Sequence, residues 1–255
     1  IIFVFINISY ILGYSKQIYK MAGLNFVNIA WGKANDIINN ALTQDKNIPI
    51  PDDYVGYFTY NTNTHNNSSL WFHKDDRKNN EKNLGRKAIP NEYNIVIVLE
   101  SPHKNEYNTG FRHPAIGTTG NNLKNYFDSL LDNLKGTIKN STICHVYLMN
   151  AIQYQCSLGY DTSVFRTEIF NSIWKHHKED EDFLDRLKNF YPNIIINLCT
   201  KTDKLQDIVQ EKINEFVNNN NNKTISLYRG THPSSWNLDP QNRYIVDNKR
   251  NSYKF

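Results

Sequence analysis

The sequence predicts an α/β protein: a three-layer αβα sandwich around a central, mainly parallel sheet of four strands. Short apolar runs at 94–99, 143–149, 193–198 and 224–228 read as strands, and amphipathic helical patterns fill the intervals between them. Strands that alternate with helices are joined by crossovers, and crossovers build a parallel sheet covered on both faces. Polar, unusual residues follow three of these strands, at the carboxyl ends where open α/β sheets bind their ligands.

Residues 1–12 (IIFVFINISYIL) are apolar but interrupted by Asn7 and Ser9. The run is shorter than the ~20 residues of a membrane span, and it lacks the basic start and cleavage site of a signal peptide. The first methionine is Met21, and a helical pattern follows at 24–43 with Leu24, Val27, Ala30, Ile37, Ile38 and Leu42. Residues 1–20 are therefore expected to be upstream-translated sequence, the alternative being an extra hydrophobic segment packed on the domain. Residues 21–255 are expected to form a single domain. Segment 60–69 is rich in Asn, Thr and Ser and reads as loop. Segment 74–87 holds six basic and three acidic side chains. It reads first as a solvated, mobile stretch and second as a phosphate-contacting loop.

The run 94–99 (NIVIVL) is continuous and β-branched, the mark of a strand buried on both faces. A Gly- and Thr-rich loop leads into a helix at 119–134, with Leu123, Phe127, Leu130, Leu131 and Leu134 on one face. Residues 164–190 are helical, with a break near Lys178, and 202–217 form another amphipathic helix before the Asn-rich loop 218–222.

Hydrophobic residues at 39% and charged residues at 21% of the 255 place the chain among globular proteins. A net charge of +4 permits a polyanionic partner without demanding one. The three cysteines, Cys144, Cys156 and Cys199, are scattered and form no Cys-x-x-Cys pair. Neither a disulfide framework nor a four-cysteine metal site is supported, and a reducing, cytoplasmic setting fits best. His65, His73 and His145 have no partners at metal spacing, and His176 and His177 sit on a polar helix end. No metal and no cofactor are assigned. The sequence has no P-loop and no paired metal carboxylates, which argues against a nucleotide hydrolase.

The polar strand ends supply the chemistry. Glu100 closes the first strand, where a carboxylate can activate water or stabilise a cationic sugar; a capping or salt-bridging role is the structural alternative. Asn150 closes the second strand and offers both a carbonyl and an amide to one base edge, or to a turn. His232, set in Thr231-His232-Pro233-Ser234 after the fourth strand, can donate to a base oxygen and stabilise a departing anion. The turn Gly117-Thr118-Thr119-Gly120 precedes a helix and can hold a phosphate on backbone amides, or cap the helix through a threonine.

The segment L-E-S-P-H-K-N-E-Y…P-A-I-G-T-T-G-N-N-L, from Leu99 to Leu123, resembles the first motif of uracil-DNA glycosylases of the iron–sulfur type, G-E-A-P-G-x-x-E-D…P-F-V-G-x-A-G-x-x-L. V-Y-L-M-N-A-I resembles the family's V-Y-I-T-N-V-V, I-I-I-N-L sits where its third strand runs, and T-H-P-S-S-W resembles its H-P-S motif. The four occur in the family's order over about residues 94–240. The resemblance implies a DNA glycosylase that flips a base out and hydrolyses its bond to the sugar, leaving an abasic site. It assigns Glu100 as the carboxylate, Asn150 as the base reader and His232 as the group that stabilises the leaving base. It gives Trp236 the place of a wedge into the duplex. It also assigns Ser101, Pro102, Gly117, Thr118, Thr119, Ser234 and Ser235 to contacts with DNA.

Two departures refine the expectation. The chain lacks the family's four cluster cysteines, so no cluster is expected. Where the family stacks an aromatic ring under the base the chain has Ala115, and where it has glycine the chain has His103. A more open and more polar pocket implies a bulky modified pyrimidine, such as hydroxymethylated or glucosylated cytosine of phage DNA, and a role in antiviral defence. The alternative to an opened pocket is that another aromatic, Tyr107, Phe111 or Tyr154, stacks in place of the missing ring. The alternatives are a conventional uracil-DNA glycosylase and a catalytically inactive DNA-binding module of the same fold. DNA is the expected partner, no membrane is expected, and the chain is expected to act as a monomer.

Overall fold

The computed structural model describes residues 49–61, 69–103, 105–108, 111–156, 166–176, 179–220 and 224–247. The segment 1–20, the helix expected at 24–43 and most of the loop 60–69 lie outside the described residues. The elements run β1 (Asp53–Thr59), α1 (Lys74–Asn79), α2 (Glu81–Leu84), β2 (Tyr93–Leu99), α3 (Asn105–Asn108), α4 (Thr118–Asn133) and β3 (Ile143–Asn150). They continue with α5 (Arg166–His176), α6 (Glu179–Asn189), β4 (Ile194–Asn197), α7 (Leu205–Asn219), β5 (Ser226–Gly230) and β6 (Ile245–Asp247).

The chain is α/β, as expected, but its sheet is six-stranded and mixed, not four-stranded. The order is β1-β3-β2-β4-β5-β6. The four expected strands form the parallel centre, and β1 and β6 close the two edges antiparallel. Both edge strands were hidden by local chemistry. In β1, Gly56 adopts φ 108°, the register shifts between Tyr54 and Tyr57, and any Cβ at Gly56 would collide with the Ser69 carbonyl. A bulge of this kind breaks the two-residue alternation that marks a strand. β6 is three residues long, too short for a periodic signal.

β2 is central, and its continuous apolar run feeds both faces. Ile95, Ile97 and Leu99 pack with Leu123, Phe127 and Leu130 of α4 on one side. Val96 and Val98 join the cluster of Phe170 and Trp174 (α5), Phe183 and Leu187 (α6), and Val209 and Ile213 (α7) on the other. Each such side chain contributes about 1.5–3 kcal/mol on burial, so the two clusters fix which face each helix covers. The chain thus leaves β2 toward α4 on one face and β4 toward α7 on the opposite face. In open α/β sheets the carboxyl ends where two such connections part are where ligands bind.

Segment 74–87 corrects a reading. It is not a mobile charged loop but the helices α1 and α2, with Arg77 fully buried between them and the sheet. Its guanidinium donates to Asp53 on β1 at 3.1 Å and to the carbonyls of Trp71, Phe72 and Pro114. A buried cation is tolerated there because its donors meet a carboxylate and backbone oxygens.

Candidate active site

The register of β2 and β3 pairs Leu99 with Asn150, so Glu100 and Asn150 stand at neighbouring strand tips. The backbone continues the pairing, with Ile152 N–H donating to the Glu100 carbonyl at 3.0 Å. β5 lies two strands from β2, and His232 follows it, about 10 Å across the sheet by ordinary strand spacing.

Glu100 is buried, at 4% exposure. Burial raises its carboxyl above the usual carboxylate range. The charge of Arg166 opposes that rise, as do hydrogen bonds donated by the Thr200 hydroxyl and backbone N–H. Arg166 Nε lies 3.3 Å from Glu100 Oε1. Thr200 follows β4, so the tips of β2 and β4 and the start of α5 meet at this carboxylate.

Asn150 is buried at 2% exposure. Its backbone carbonyl accepts from Arg186 at 3.1 Å, but its side-chain Nδ2 has no hydrogen-bond partner among the described residues. The same holds for Glu100 Oε2, Arg166 Nε and Glu106 Oε2. Buried polar atoms in folded proteins are nearly always bonded; Asn94 Oδ1 at the opposite end of β2 and Asn171 Oδ1 on α5 are exceptions too, and the four at or after the carboxyl ends of the strands are the ones placed where a polar ligand would bind. The contrast with Asn197 is direct. Asn197 ends β4 with its Nδ2 bonded to the Gln206 carbonyl and Gln210 Oε1, and its Oδ1 bonded to Cys199 N–H, each at 3.1 Å.

His232 is half-buried and heads a short turn over Pro233–Ser235. Its Nδ1 accepts from the Ser234 hydroxyl at 2.9 Å and from the Ser234 N–H at 3.3 Å. An accepting Nδ1 leaves the proton of the neutral ring on Nε2. Burial and the nearby Arg166 charge push the imidazole down to about 4, so the ring is a neutral donor at physiological pH. Pro233 is buried, and its carbonyl accepts from Asn122 of α4 at 2.8 Å, which anchors the turn to the far layer.

The remaining expected residues divide. Ser101 and His103 are half-buried beside Glu100, Pro102 is buried, and His103 Nδ1 accepts from Asn105 N–H at 3.2 Å. Gly117 and Thr118 are exposed at the start of α4, and Thr119 is half-buried; Gly117 is the N-cap and no side chain caps the helix. Ser234 is exposed, while Ser235 Oγ donates back to the His232 carbonyl at 2.9 Å. Tyr107 is buried, and its hydroxyl donates to the Gln153 carbonyl at 3.1 Å, tying α3 to the chain after β3.

Ala115 and Trp236 are core residues. Ala115 is 2% exposed with φ 58°, and its N–H donates to Glu106 Oε1 at 3.1 Å. Its carbonyl presses on Gly120, where any Cβ would collide with it. The missing ring is thus matched by close packing and not by an opened pocket. Trp236 is fully buried, with Nε1 donating to the Thr231 carbonyl at 3.1 Å, so its ring holds the turn from inside and is not a free wedge. The exposed apolar side chain of that turn is Leu238, at 78%. A cavity of about 360 Å³ lies elsewhere, between Trp71, Asp76, Asn80 and Lys124, and none of the strand-tip residues lines it.

Sequence reading missed Arg166 and Glu106. Arg166 carries no local signal, being the first residue of an ordinary amphipathic helix. Glu106 stood in the quoted segment, six residues after Glu100. Burial pushes its carboxyl up to about 8, so it is largely protonated at neutral pH. Cys144, Cys156 and Cys199 are buried thiols. Among the described residues no helix is long and apolar enough to cross a membrane.

No protein-family model matches the chain, and no curated protein matches it significantly.

Proposed function

We propose that the chain is a DNA glycosylase that hydrolyses the N-glycosidic bond of a flipped pyrimidine. The observation that carries this reading is the set of unbonded buried polar atoms at adjoining strand tips, Glu100 Oε2 and Asn150 Nδ2, with the neutral His232 ring two strands away. An acceptor, an amide donor and an imidazole donor are what one extruded nucleotide requires.

In this mechanism Asn150 reads the base edge and His232 Nε2–H donates to a base oxygen. The C1′–N bond breaks, and its electron pair passes to the base, where the His232 hydrogen bond stabilises the charge. Water adds to the sugar at C1′ on the face of Glu100, which takes the proton the water releases. Glu100 then gives that proton up through solvent to the base anion, which leaves as the neutral base, and an abasic sugar remains. Unstacking the nucleotide costs a few kcal/mol, which the pocket contacts offset.

Ser234 and the exposed start of α4 at Gly117 and Thr118 supply donors for backbone phosphates. Leu238, in place of Trp236, supplies the apolar wedge. A bulky modified cytosine as target rests on His103 alone, since Ala115 opens no space.

The test is a set of duplex and single-stranded oligonucleotides carrying uracil, hydroxymethylcytosine or glucosylated hydroxymethylcytosine, scored for alkali-labile breaks. The reading expects breaks at one of these bases, strongly reduced in Glu100→Gln and His232→Ala. Binding to DNA without breaks at any base would identify an inactive binding module.

A further inference from the structure

Arg166 is the first residue of α5, and no motif marks it. Its side chain is 17% exposed and lies against the Glu100 carboxylate, itself 5% exposed, with Nε 3.3 Å from Oε1. Nε makes no hydrogen bond at that distance, so the contact is a charge pair and not a directed bond. It engages one carboxylate oxygen and leaves Oε2 without a partner among the described residues.

We propose that Arg166 is a positioning residue: it holds Glu100 by Oε1 and leaves Oε2 available to the reacting nucleotide. What Oε2 then does rests on the glycosylase reading; the contact itself does not.

The electrostatics agree with this geometry. Among the described residues Glu100 is faced by Arg166 from α5, by Thr200 from the tip of β4 and, with the opposite sign, by Asp203. Cys199 beside it is a neutral buried thiol whose own ionisation Glu100 disfavours. His232 is faced by Arg166 and by Ser234. One cation therefore acts in two useful directions. It favours the ionised form of Glu100, which can accept a proton, and the neutral form of His232, which can donate one to a base oxygen without carrying charge.

The experiment compares the wild-type chain with Arg166→Gln and Arg166→Lys. Carboxyl and imidazole titrations of Glu100 and His232 are followed by NMR without DNA, and base release is measured against pH on the oligonucleotide that the wild type cleaves. In folded R166Q both midpoints are expected to rise by about 1 unit or more. kcat at neutral pH falls with little change in KM, and the rising limb of the rate profile moves by the same interval. R166K restores both. Thermal unfolding verifies that each variant is folded. Unmoved midpoints in folded R166Q overturn the proposal, as does an R166K variant as impaired as R166Q with its pH limb in place. A wild-type chain that releases no base overturns the glycosylase reading instead, and the titrations still decide the role of Arg166.

Discussion

Asn150 and Asn197 end the two strands that flank β2, and they differ in their side-chain bonding: Asn197 has its amide nitrogen bonded twice, whereas that of Asn150 is unbonded among the described residues. Asn150 lies level with Leu99 and Asn197 level with Val98, so the two side chains leave opposite faces of the sheet, Asn197 on the side of α7. The satisfied amide braces α7 against the sheet, and the unsatisfied one is the donor that the proposed mechanism uses to read the base.

Replacing the two residues separates those roles. Asn197→Ala strands the Cys199 N–H and the partners on α7, and is expected to lower stability by about 1–3 kcal/mol. Asn150→Ala removes a buried group whose Nδ2 has no hydrogen-bond partner among the described residues, so its unfolding midpoint is expected to stay at or above the wild-type value while base release is lost. Chemical denaturation and the oligonucleotide assay, run on both variants, check this.

His232 links activity to acid stability. Its folded-state value, about 4, lies below its ordinary 6.5. The unfolded chain therefore binds the proton more readily, and this contribution to stability is complete above about 6.5 and lost as pH falls toward 4. Stability measured from pH 7 to pH 4 is expected to fall less steeply in His232→Gln than in the wild type. Base release by His232→Ala is expected to drop about 10²–10³-fold, the cost of one donor to a developing anion.

Glu106 works in the opposite direction. Its carboxyl rises from 4.5 to about 8 on folding, so the folded state holds the proton more tightly and stability falls as pH rises through that window. Glu106→Gln keeps the shape of the protonated acid and removes the titration. Its thermal midpoint is expected to vary less than the wild type's between pH 5 and pH 8, with the largest gain at the alkaline end.

Arg77 and Trp236 are structural, and their variants should fail by unfolding. Arg77→Met leaves Asp53 buried without its guanidinium and costs about 3–5 kcal/mol; Trp236→Ala costs a similar ~3–5 kcal/mol through the cavity it creates. Leu238→Ala should leave the unfolding midpoint within ~0.5 kcal/mol of wild type. It is expected to slow base release from duplex DNA more than from single strands, where no gap in a stack has to be filled.

The legible part of this fold was its centre. β2 to β5 announce themselves because burial on both faces forces long apolar runs, and Glu100, Asn150 and His232 stand out as polar residues ending those runs. The edges were not legible, since Gly56 breaks the alternation of β1 and β6 is too short to show any. Arg77 was misread because a charge run looks solvated until a buried partner, here Asp53, is supplied by a strand 24 residues away. The burial of Trp236 and Ala115 was hidden for a shared reason: a motif position gives the place in the chain but not the side on which the side chain packs. Arg166 was invisible because its contact with Glu100 spans 66 positions and depends on a tertiary turn.

Mass spectrometry of the free base released from a single defined oligonucleotide tests the central claim most directly. The wild-type chain is expected to release one intact pyrimidine base per site and to leave an abasic sugar. Single variants at Glu100, Asn150 and His232 should each lose that product while still binding the oligonucleotide. Release that persists undiminished in folded Asn150→Ala and His232→Ala, or that is absent from the wild type with every pyrimidine offered, would contradict the account.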